Sequence, residues 1–356
     1  MIKVAVVGTQ GVPARYGGFE TLVENLIGDN CSPDIEYTVF CSSSDMGDTP
    51  SHYKGAALKY VPLHANGMQS IPYDIWSMMK SISGYDAILI LGVSGCVFLP
   101  FLKLFSKSRI IVNIDGLEHR RNKWGKLARW VLKFSESVAV KFADVIIADN
   151  NGIKDYVTQT YGKESVMIAY GGDHVRQEMP EDRERQILEA FEVEAGKYAV
   201  TVCRIEPENN CHRILEAFSH SDMPIVFIGN WNKSPYGMEL KAKYSGHQNI
   251  LICDPVYDID KLYALRKNAA VYIHGHSAGG TNPSLVEAMF FGRPILCYDC
   301  VYNRESTFGQ ARYWGDEAEL LSILKNDLKD DGHVMNELAQ QHYTWRKIAE
   351  QYESLY

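Results

Sequence analysis

The chain has no apolar run of the ~18–20 residues that a membrane-spanning helix needs. Its start, MIKVAVVGTQGVP, has too short an apolar stretch for a secretory signal, and the stretch ends in a glycine loop. A cytoplasmic location is expected from these absences. Low-complexity tracts, collagen-like tracts and internal repeats are missing too. The eight cysteines are scattered, and Cys297 and Cys300 form a C-x-x-C with no second pair to match it. Spacing gives no support for a metal or redox centre, so buried free thiols are expected. Nor does the first loop hold G-x-G-x-x-G: Gly8 and Gly11 are three apart, and the loop is too long for a dinucleotide turn.

What is present is enough for two cores. Single cores stop growing near ~250–300 residues, and this chain has 356, of which 46% are hydrophobic. The net charge of −8 is uneven. Residues 1–170 hold 17 basic and 16 acidic residues, so the remainder carries −9. Residues 97–141 alone hold 10 basic and 3 acidic residues. A basic patch on an acidic protein marks a surface that meets an anion, and the acidic remainder argues against nucleic acid.

Short β-branched runs alternate with helical stretches. Strands are predicted at 2–8, 37–42, 87–92, 109–116, 144–149 and 166–172. A second set is predicted at 198–204, 224–230, 249–254, 270–275 and 293–299. Helices are predicted at 19–28, 74–83 and 124–143, and again between the later strands. Continuous apolar strands in this alternation predict two parallel, doubly wound sheets. AYGGDH (169–174), followed by the charged stretch QEMPEDRERQ (177–186), marks the domain boundary. Ligands of such sheets bind beyond the carboxyl ends of the strands, so the loops there carry the chemistry.

Three loops stand out. GTQGVPARYGGFET (8–21) ends in Gly17 and Gly18 before a helix. That is either an anion seat at a helix start or a tight turn needing φ > 0. Arg15 and Tyr16 beside it favour a phosphate or acceptor contact. HSAGGTNPSLVEAMF (276–290) places Gly279 and Gly280 ahead of Thr281 and Asn282, either of which can cap a helix starting at Pro283. Glu287 lies about one turn in, and its carboxylate suits a ribose diol; the plainer alternative is a solvated helix glutamate. Arg204, at the end of a strand in VCRIEPENN, suits a diphosphate or is an ordinary surface arginine. The D-x-D at 258–260 opens a helix, where Asp is a good cap, and is not read as a metal site.

Together these loops resemble glycosyltransferase family 4, the retaining GT-B enzymes. The strings that carry the likeness are RIEPEN (204–209), FIGNW (227–231), LRKNAAVYIH (265–274) and GGTNPSLVEAMFFGRPIL (279–296). YTWRKIAEQYESLY (343–356) is similar to that fold's last helix, which crosses back onto the first domain. More narrowly, GTQGVPARYGGFET, DGLEHRR (115–121) and GGTNPS resemble a bacterial rhamnosyltransferase subgroup of capsule and cell-wall polysaccharide assembly. The resemblance implies an α/β GT-B architecture: two doubly wound, Rossmann-like parallel-sheet domains facing across a cleft. Residues 1–172 with about 343–356 would bind the acceptor, and 173–342 the nucleotide sugar.

It also implies roles. Donor contacts fall on Arg204, Asn209, Gly229, Asn230, Tyr257, Gly279, Gly280, Thr281, Asn282 and Glu287, with base contacts in GNWNKSPYG and DPVYD. Arg15, Tyr16, Gly17 and Gly18 form a phosphate or acceptor loop. His119 matches the family's active-site histidine near the transferred sugar, with Asp115 and Glu118 placed to contact the sugar or orient it. No metal or resident cofactor is implied. Retention implies front-face attack, with the donor's own phosphate taking the acceptor's proton and the protein supplying position and charge.

Two departures stand out. The first glutamate of the family's E-x7-E motif is Gly279 here, and the lysine of its R-x4-K is Asn209. They read as adaptation to a different, deoxy donor sugar, or as lost catalysis. The expected function is transfer of L-rhamnose from dTDP-rhamnose, or of another dTDP- or UDP-linked sugar, to a lipid-linked saccharide. A non-catalytic nucleotide-sugar-binding partner subunit and a sugar-nucleotide epimerase are the alternatives. Finally, HRRNKWGKLARWVLKF (119–134) sets Arg120, Arg121, Lys123, Lys126, Arg129 and Lys133 around Trp124, Trp130 and Phe134. That is either a surface-lying helix on an anionic membrane, aided by 99–109, or an ordinary amphipathic helix with a solvated basic face. The first reading places the protein peripherally on the inner membrane face.

Overall fold

The structure is a computed structural model that describes residues 1–14, 17–28, 32–114, 116, 125–326, 328 and 331–356. The chain divides into two compact units, Met1–Tyr170 with Trp345–Tyr356, and Gly171–Thr344. No helix among the described residues is long and apolar enough to cross a membrane.

The first unit is built on strands β1 (Ile2–Val7), β2 (Ile35–Ser42), β3 (His52–Tyr53), β4 (Ala56–Val61), β5 (Ala87–Leu91), β6 (Arg109–Asn113), β7 (Val145–Ala148) and β8 (Val166–Met167). They run in the order β3-β4-β2-β1-β5-β6-β7-β8. Neighbours pair in parallel except β3 and β4. β5, AILIL, is buried along its whole length, as expected of a strand covered on both faces. The β3–β4 hairpin has no counterpart among the expected strands. Its sequence signal is Lys54-Gly55, a two-residue turn with φ of 45° and 82°, the left-handed pair that such a turn needs. The run 109–116 pairs only to Asn113, and 166–172 only at Val166 and Met167. Between the strands in sequence lie α1 (Gly18–Leu26), α2 (Ser70–Lys80), α3 (Leu99–Phe105), α4 (Lys126–Phe142) and α5 (Asn151–Tyr161).

The second unit has β9 (Ala199–Val202), β10 (Ile225–Ile228), β11 (Ile250–Cys253), β12 (Val271–His274), β13 (Ile295–Tyr298) and β14 (Arg312–Trp314). The order is β11-β10-β9-β12-β13-β14, parallel throughout. Its helices are α6 (Glu181–Ala190), α7 (Cys211–Ser219), α8 (Pro235–Tyr244), α9 (Ile259–Lys267), α10 (Pro283–Met289), α11 (Val301–Ser306), α12 (Glu317–Asn326) and α13 (Gly332–His342). The strand order reverses between β9 and β12, so the crevice of a doubly wound sheet lies past their carboxyl ends. The charged stretch after the expected boundary is largely helix. In α6 it is the outer face that carries the charges, while Ile187 and Leu188 are buried and Glu184 receives Lys267 and Asn268 at the end of α9. The chain leaves the first unit at Tyr170, within AYGGDH (169–174).

The last helix, α14 (Trp345–Glu353), belongs to the first unit. Trp345, Ile348, Ala349 and Tyr352 are buried in that unit's core beside Val4, Val39 and Leu89. Asn113 Nδ2 donates to the Tyr352 hydroxyl at 2.7 Å, at the end of β6. The hydroxyls of Tyr37 and Tyr356 meet at 3.0 Å.

One polar knot fixes α4 to α5. Glu136 is 1% exposed, and its Oε1 accepts from Tyr156 at 2.7 Å, Tyr161 at 2.6 Å and Lys133 at 3.1 Å. Lys133 also lies 4.7 Å from both tyrosine ring centres. It therefore turns into the protein rather than onto the basic face expected from the sequence. Burial, then Glu136, pushes the Tyr161 phenol well above its ordinary value. Glu136→Ala is expected to cost about 2–4 kcal/mol, because three donors lose their shared acceptor. The urea midpoint should fall accordingly, with Glu136→Gln falling less.

Candidate functional site

The site is built where β9 and β12 end. Gly275, just past β12, approaches the β9 loop so closely that a Cβ there would lie 2.2 Å from the Asn209 carbonyl oxygen. Only glycine fits this approach. Asn210 Nδ2 then donates to the Gly275 carbonyl at 2.9 Å. Ser277 donates through its amide and its hydroxyl to the Glu208 carbonyl, at 2.9 and 2.8 Å. From the other side Asn303 Nδ2 donates to the His276 carbonyl at 2.8 Å. The two loops are thus one braced surface.

Arg204 sits in the first of them, half-buried. Its backbone carbonyl accepts Asn209 Nδ2 at 2.6 Å. Its guanidinium makes no hydrogen bond or ion pair among the described residues. That is a cation held at a strand end without a counter-charge. Asn209 and Asn230, expected as donor contacts, serve the protein's own loops. Asn209 is 5% exposed and spends its amide on the Arg204 carbonyl and its oxygen on His276 Nδ1, 2.7 Å away. Asn230 Oδ1 accepts the Ile205 amide at 2.7 Å and so holds the residue after Arg204. Gly229 packs on Ile205 and the Cys203 carbonyl, where a Cβ would clash. Tyr257 is 68% exposed in the loop after β11.

The glycine loop is less bare than the sequence suggests. Asn282 caps α10, with Oδ1 accepting the Ser284 amide at 3.0 Å and the Ser284 hydroxyl at 2.8 Å. Thr281 is buried, and Gly279 adopts φ of 111°, a left-handed geometry that suits glycine. Glu287 is largely buried rather than a solvated helix glutamate. Its Oε2 pairs with Arg266 Nη2 at 2.7 Å, and its Oε1 lies 3.5 Å from His174 Nε2. Arg266, on α9, is 5% exposed. Burial alone would raise the Glu287 carboxyl, but Arg266 and then His174 outweigh it and hold the group below its ordinary value. An ionised carboxylate fixed on one side keeps its remaining lone pairs for hydroxyl donors. Neither Arg266 nor His174 was expected at the site. Arg266 reads in sequence as a cation at a helix end, and nothing in the string LRKNA points to a residue more than a turn of chain away.

β12 ends in His274, 2% exposed, whose Nε2 has no hydrogen-bond partner among the described residues. Burial pushes its imidazole down to about 3, so it is neutral. Asp258 caps α9, its Oδ1 accepting the Lys261 amide at 3.2 Å.

In the first unit the loop after β1 is fixed by two carboxylates. Glu20 accepts the Thr9 hydroxyl at 3.0 Å and the Gln10 amide at 2.8 Å. Glu24 accepts the Ala14 amide at 2.5 Å and the Tyr53 hydroxyl at 2.7 Å. Gly17 precedes α1 with φ of 134°, and a Cβ there would overlap the Glu20 carboxylate. A side-chain carboxylate therefore already lies at the start of the helix that Gly17 and Gly18 open. Arg15, Tyr16, Asp115, Glu118, His119, Arg120, Arg121, Lys123 and Trp124 lie outside the described residues.

Comparison with known proteins bears on the whole chain. Residues 1–173 match a family described as a domain of unknown function, DUF1972. Residues 182–319 match Glycosyl transferases group 1. The chain's fold is GT-B. A sucrose-phosphate synthase from Thermosynechococcus elongatus superposes with a TM-score of 0.81 at 15% identity, over 100% of this chain and 98% of that one. Anabaena HepE in complex with UDP-glucose gives 0.75 at 12% identity, over 100% and 99%. A UDP-forming α,α-trehalose-phosphate synthase from Burkholderia xenovorans, in complex with glucose-6-phosphate, gives 0.73 at 11%, over 100% of both chains. No curated protein matches by sequence. The group 1 domain and the fold together support a GT-B glycosyltransferase.

Arg266→Met leaves the Glu287 carboxylate buried without its main counter-charge. A loss of about 3–5 kcal/mol at pH 7 is expected. In the wild type the depressed carboxyl adds stability above the unfolded value of roughly 4.3, and this is lost as pH falls through the folded value. In the variant the carboxyl rises instead, so the deficit should shrink as pH falls through the ordinary carboxylate range. Denaturant titrations of both proteins at pH 7 and pH 4 check the sign.

Proposed function

We propose that the protein is a retaining, metal-independent glycosyltransferase that uses a nucleotide sugar, L-rhamnose on dTDP in the first instance or a UDP-linked sugar. The acceptor is a lipid-linked saccharide in bacterial capsule or cell-surface polysaccharide synthesis. The observation that carries the donor reading is Arg204, a half-buried guanidinium past the end of β9 without a counter-ion among the described residues. A diphosphate is the ligand whose charge and forked oxygens suit it. Glu287, kept ionised by Arg266, suits the nucleoside's sugar hydroxyls. The structure of Anabaena HepE with UDP-glucose supports a nucleotide sugar as the ligand class for this fold. Rhamnose rests on GTQGVPARYGGFET, DGLEHRR and GGTNPS, and the catalytic assignment of His119, Asp115 and Glu118 rests on DGLEHRR.

With the donor's phosphate as base, the protein has no acid–base carboxylate pair to supply. Its work is to neutralise the departing diphosphate and hold the acceptor hydroxyl in line. Arg204→Gln is expected to weaken dTDP and UDP at least tenfold while weakening the monophosphates about twofold. Calorimetry on the full chain measures both. Equal losses for mono- and diphosphates would remove Arg204 from the diphosphate.

The membrane reading has its own support in the first unit. On α4, Leu127 is 76% exposed and Trp130 65%, and Trp130 stacks on Phe134. On α3, which packs against α4, Leu104 is 74% exposed, with Phe101 and Phe105 also out. Lys107, Arg109 and Lys126 are exposed on the same two stretches. Apolar side chains rimmed by cations suit an anionic interface, and they suit the delivery of a lipid-linked acceptor. The protein should sediment with vesicles of phosphatidylcholine and phosphatidylglycerol and stay in solution with phosphatidylcholine alone. Trp130→Ser with Leu104→Ser should abolish sedimentation. A wild type that stays in the supernatant with both vesicles would end this reading.

A further inference from the structure

Two cysteines that no spacing rule connects meet at the end of β9. Cys203 and Cys211 are eight residues apart, and their sulfurs lie 3.9 Å from one another. Both are free thiols. A disulfide needs about 2.05 Å between sulfurs, so a shift of about 2 Å closes the pair.

The two thiols are unequal. Cys211 opens α7, is 0% exposed and belongs to the core of the second unit. Cys203 is half-buried and packs on the edge of that core. An oxidant therefore reaches Cys203 first, with Cys211 waiting behind it. Burial, then Cys203, holds the Cys211 thiol well above its ordinary value. Cys203 is thus the attacking thiol and Cys211 the slower, resolving one. In a reducing compartment such a pair stays open until oxidant rises.

The loop between them, residues 204–210, carries Arg204. Cys211 Sγ is a weak donor to the carbonyls of Glu206 at 3.7 Å and Arg204 at 3.9 Å. Oxidation removes the hydrogen that makes those contacts. Cys211 is fixed by the core, so closure draws Cys203 inward, and Arg204 is the next residue along the chain.

We infer that Cys203 and Cys211 form a reversible disulfide under peroxide, and that closing it displaces Arg204 and weakens the hold on a nucleoside diphosphate. The bond is independent of the nucleotide-sugar reading above; its effect on affinity rests on that reading. The Cys203 thiolate attacks a peroxide oxygen, the O–O bond breaks, and the sulfenic acid forms with release of one water. The Cys211 sulfur then attacks the Cys203 sulfur, the S–O bond breaks, and a second water leaves with the Cys211 proton. The two thiols give up two electrons, and the peroxide takes them.

The test treats the full chain with hydrogen peroxide, alkylates the remaining thiols and weighs the tryptic peptides. Trypsin cuts after Arg204, so the bond should join YAVTVCR (198–204) to IEPENNCHR (205–213). Dithiothreitol should separate them. Cys211→Ala should instead accumulate a Cys203 sulfenic acid that dimedone traps. Calorimetry on the same samples should show dTDP and UDP held about fivefold more weakly by the oxidised wild type, the worth of one hydrogen bond, with recovery on reduction. Cys203→Ser and Cys211→Ala should each bind as the reduced wild type does and ignore the oxidant, so either suffices if the other does not fold. No linked pair, Cys203 linked elsewhere, or a linked pair with unchanged affinity would overturn the inference. A reduced wild type that binds neither nucleotide would instead overturn the nucleotide-sugar reading, and the linked peptides would still decide the bond.

Discussion

The sheet end of the second unit depends on the suture between the loops that follow β9 and β12. Few of its bonds join two side chains. Asn209, Asn210 and Ser277 each reach a main-chain carbonyl of the opposite loop or of their own. Bonds of this kind hold peptide groups in place that would otherwise be left unsatisfied as the strands end. Because both loops are held by main-chain atoms, Arg204 and His276 are presented from a fixed frame. A guanidinium carried on a mobile loop would lose part of its binding energy to ordering. Here that ordering is completed on folding.

Charge is arranged around this frame with economy. Glu287 is matched by Arg266, and Arg204 is left unmatched among the described residues. The first arrangement keeps an anion ionised where burial opposes it; the second leaves a half-buried guanidinium without a counter-charge among the described residues. The loops past the sheet's strand ends therefore offer a carboxylate acceptor and a positive donor from stretches far apart in the sequence. That combination suits a ligand which is itself part polyol and part phosphate.

Much of the fold was legible because parallel strands buried on both faces write themselves as unbroken apolar runs, as AILIL does. Boundaries were less so: VMIAYGG reads as a strand of seven residues, yet only its first two pair. α6 gives little helical signal because its charges dominate the string, while the two residues that seat it, Ile187 and Leu188, are adjacent and show no period. At the site, Arg204, Gly279 and Glu287 could be singled out from strand ends and turn chemistry. The roles of Asn209 and Asn230 could not, since an asparagine that braces a loop and one that meets a ligand have the same letter. Their partners, Arg204, His276 and Ile205, become neighbours only once the sheet is assembled. Arg266 and His174 flank Glu287 for the same tertiary reason.

The placement of α14 has a consequence for biosynthesis. Trp345, Ile348 and Tyr352 fill the core under β1, β2 and β5. The first unit to leave the ribosome therefore lacks part of its interior until Gly171–Thr344 has been made. At roughly 5–20 residues per second, that wait is on the order of ten seconds or more. Throughout it, apolar surface meant for Trp345 and Tyr352 stays open, whereas the second unit, continuous in sequence, is complete as soon as Thr344 has been added. The usual order, in which the N-terminal domain matures first, is reversed here, and the newborn chain is most in need of a chaperone at its oldest end.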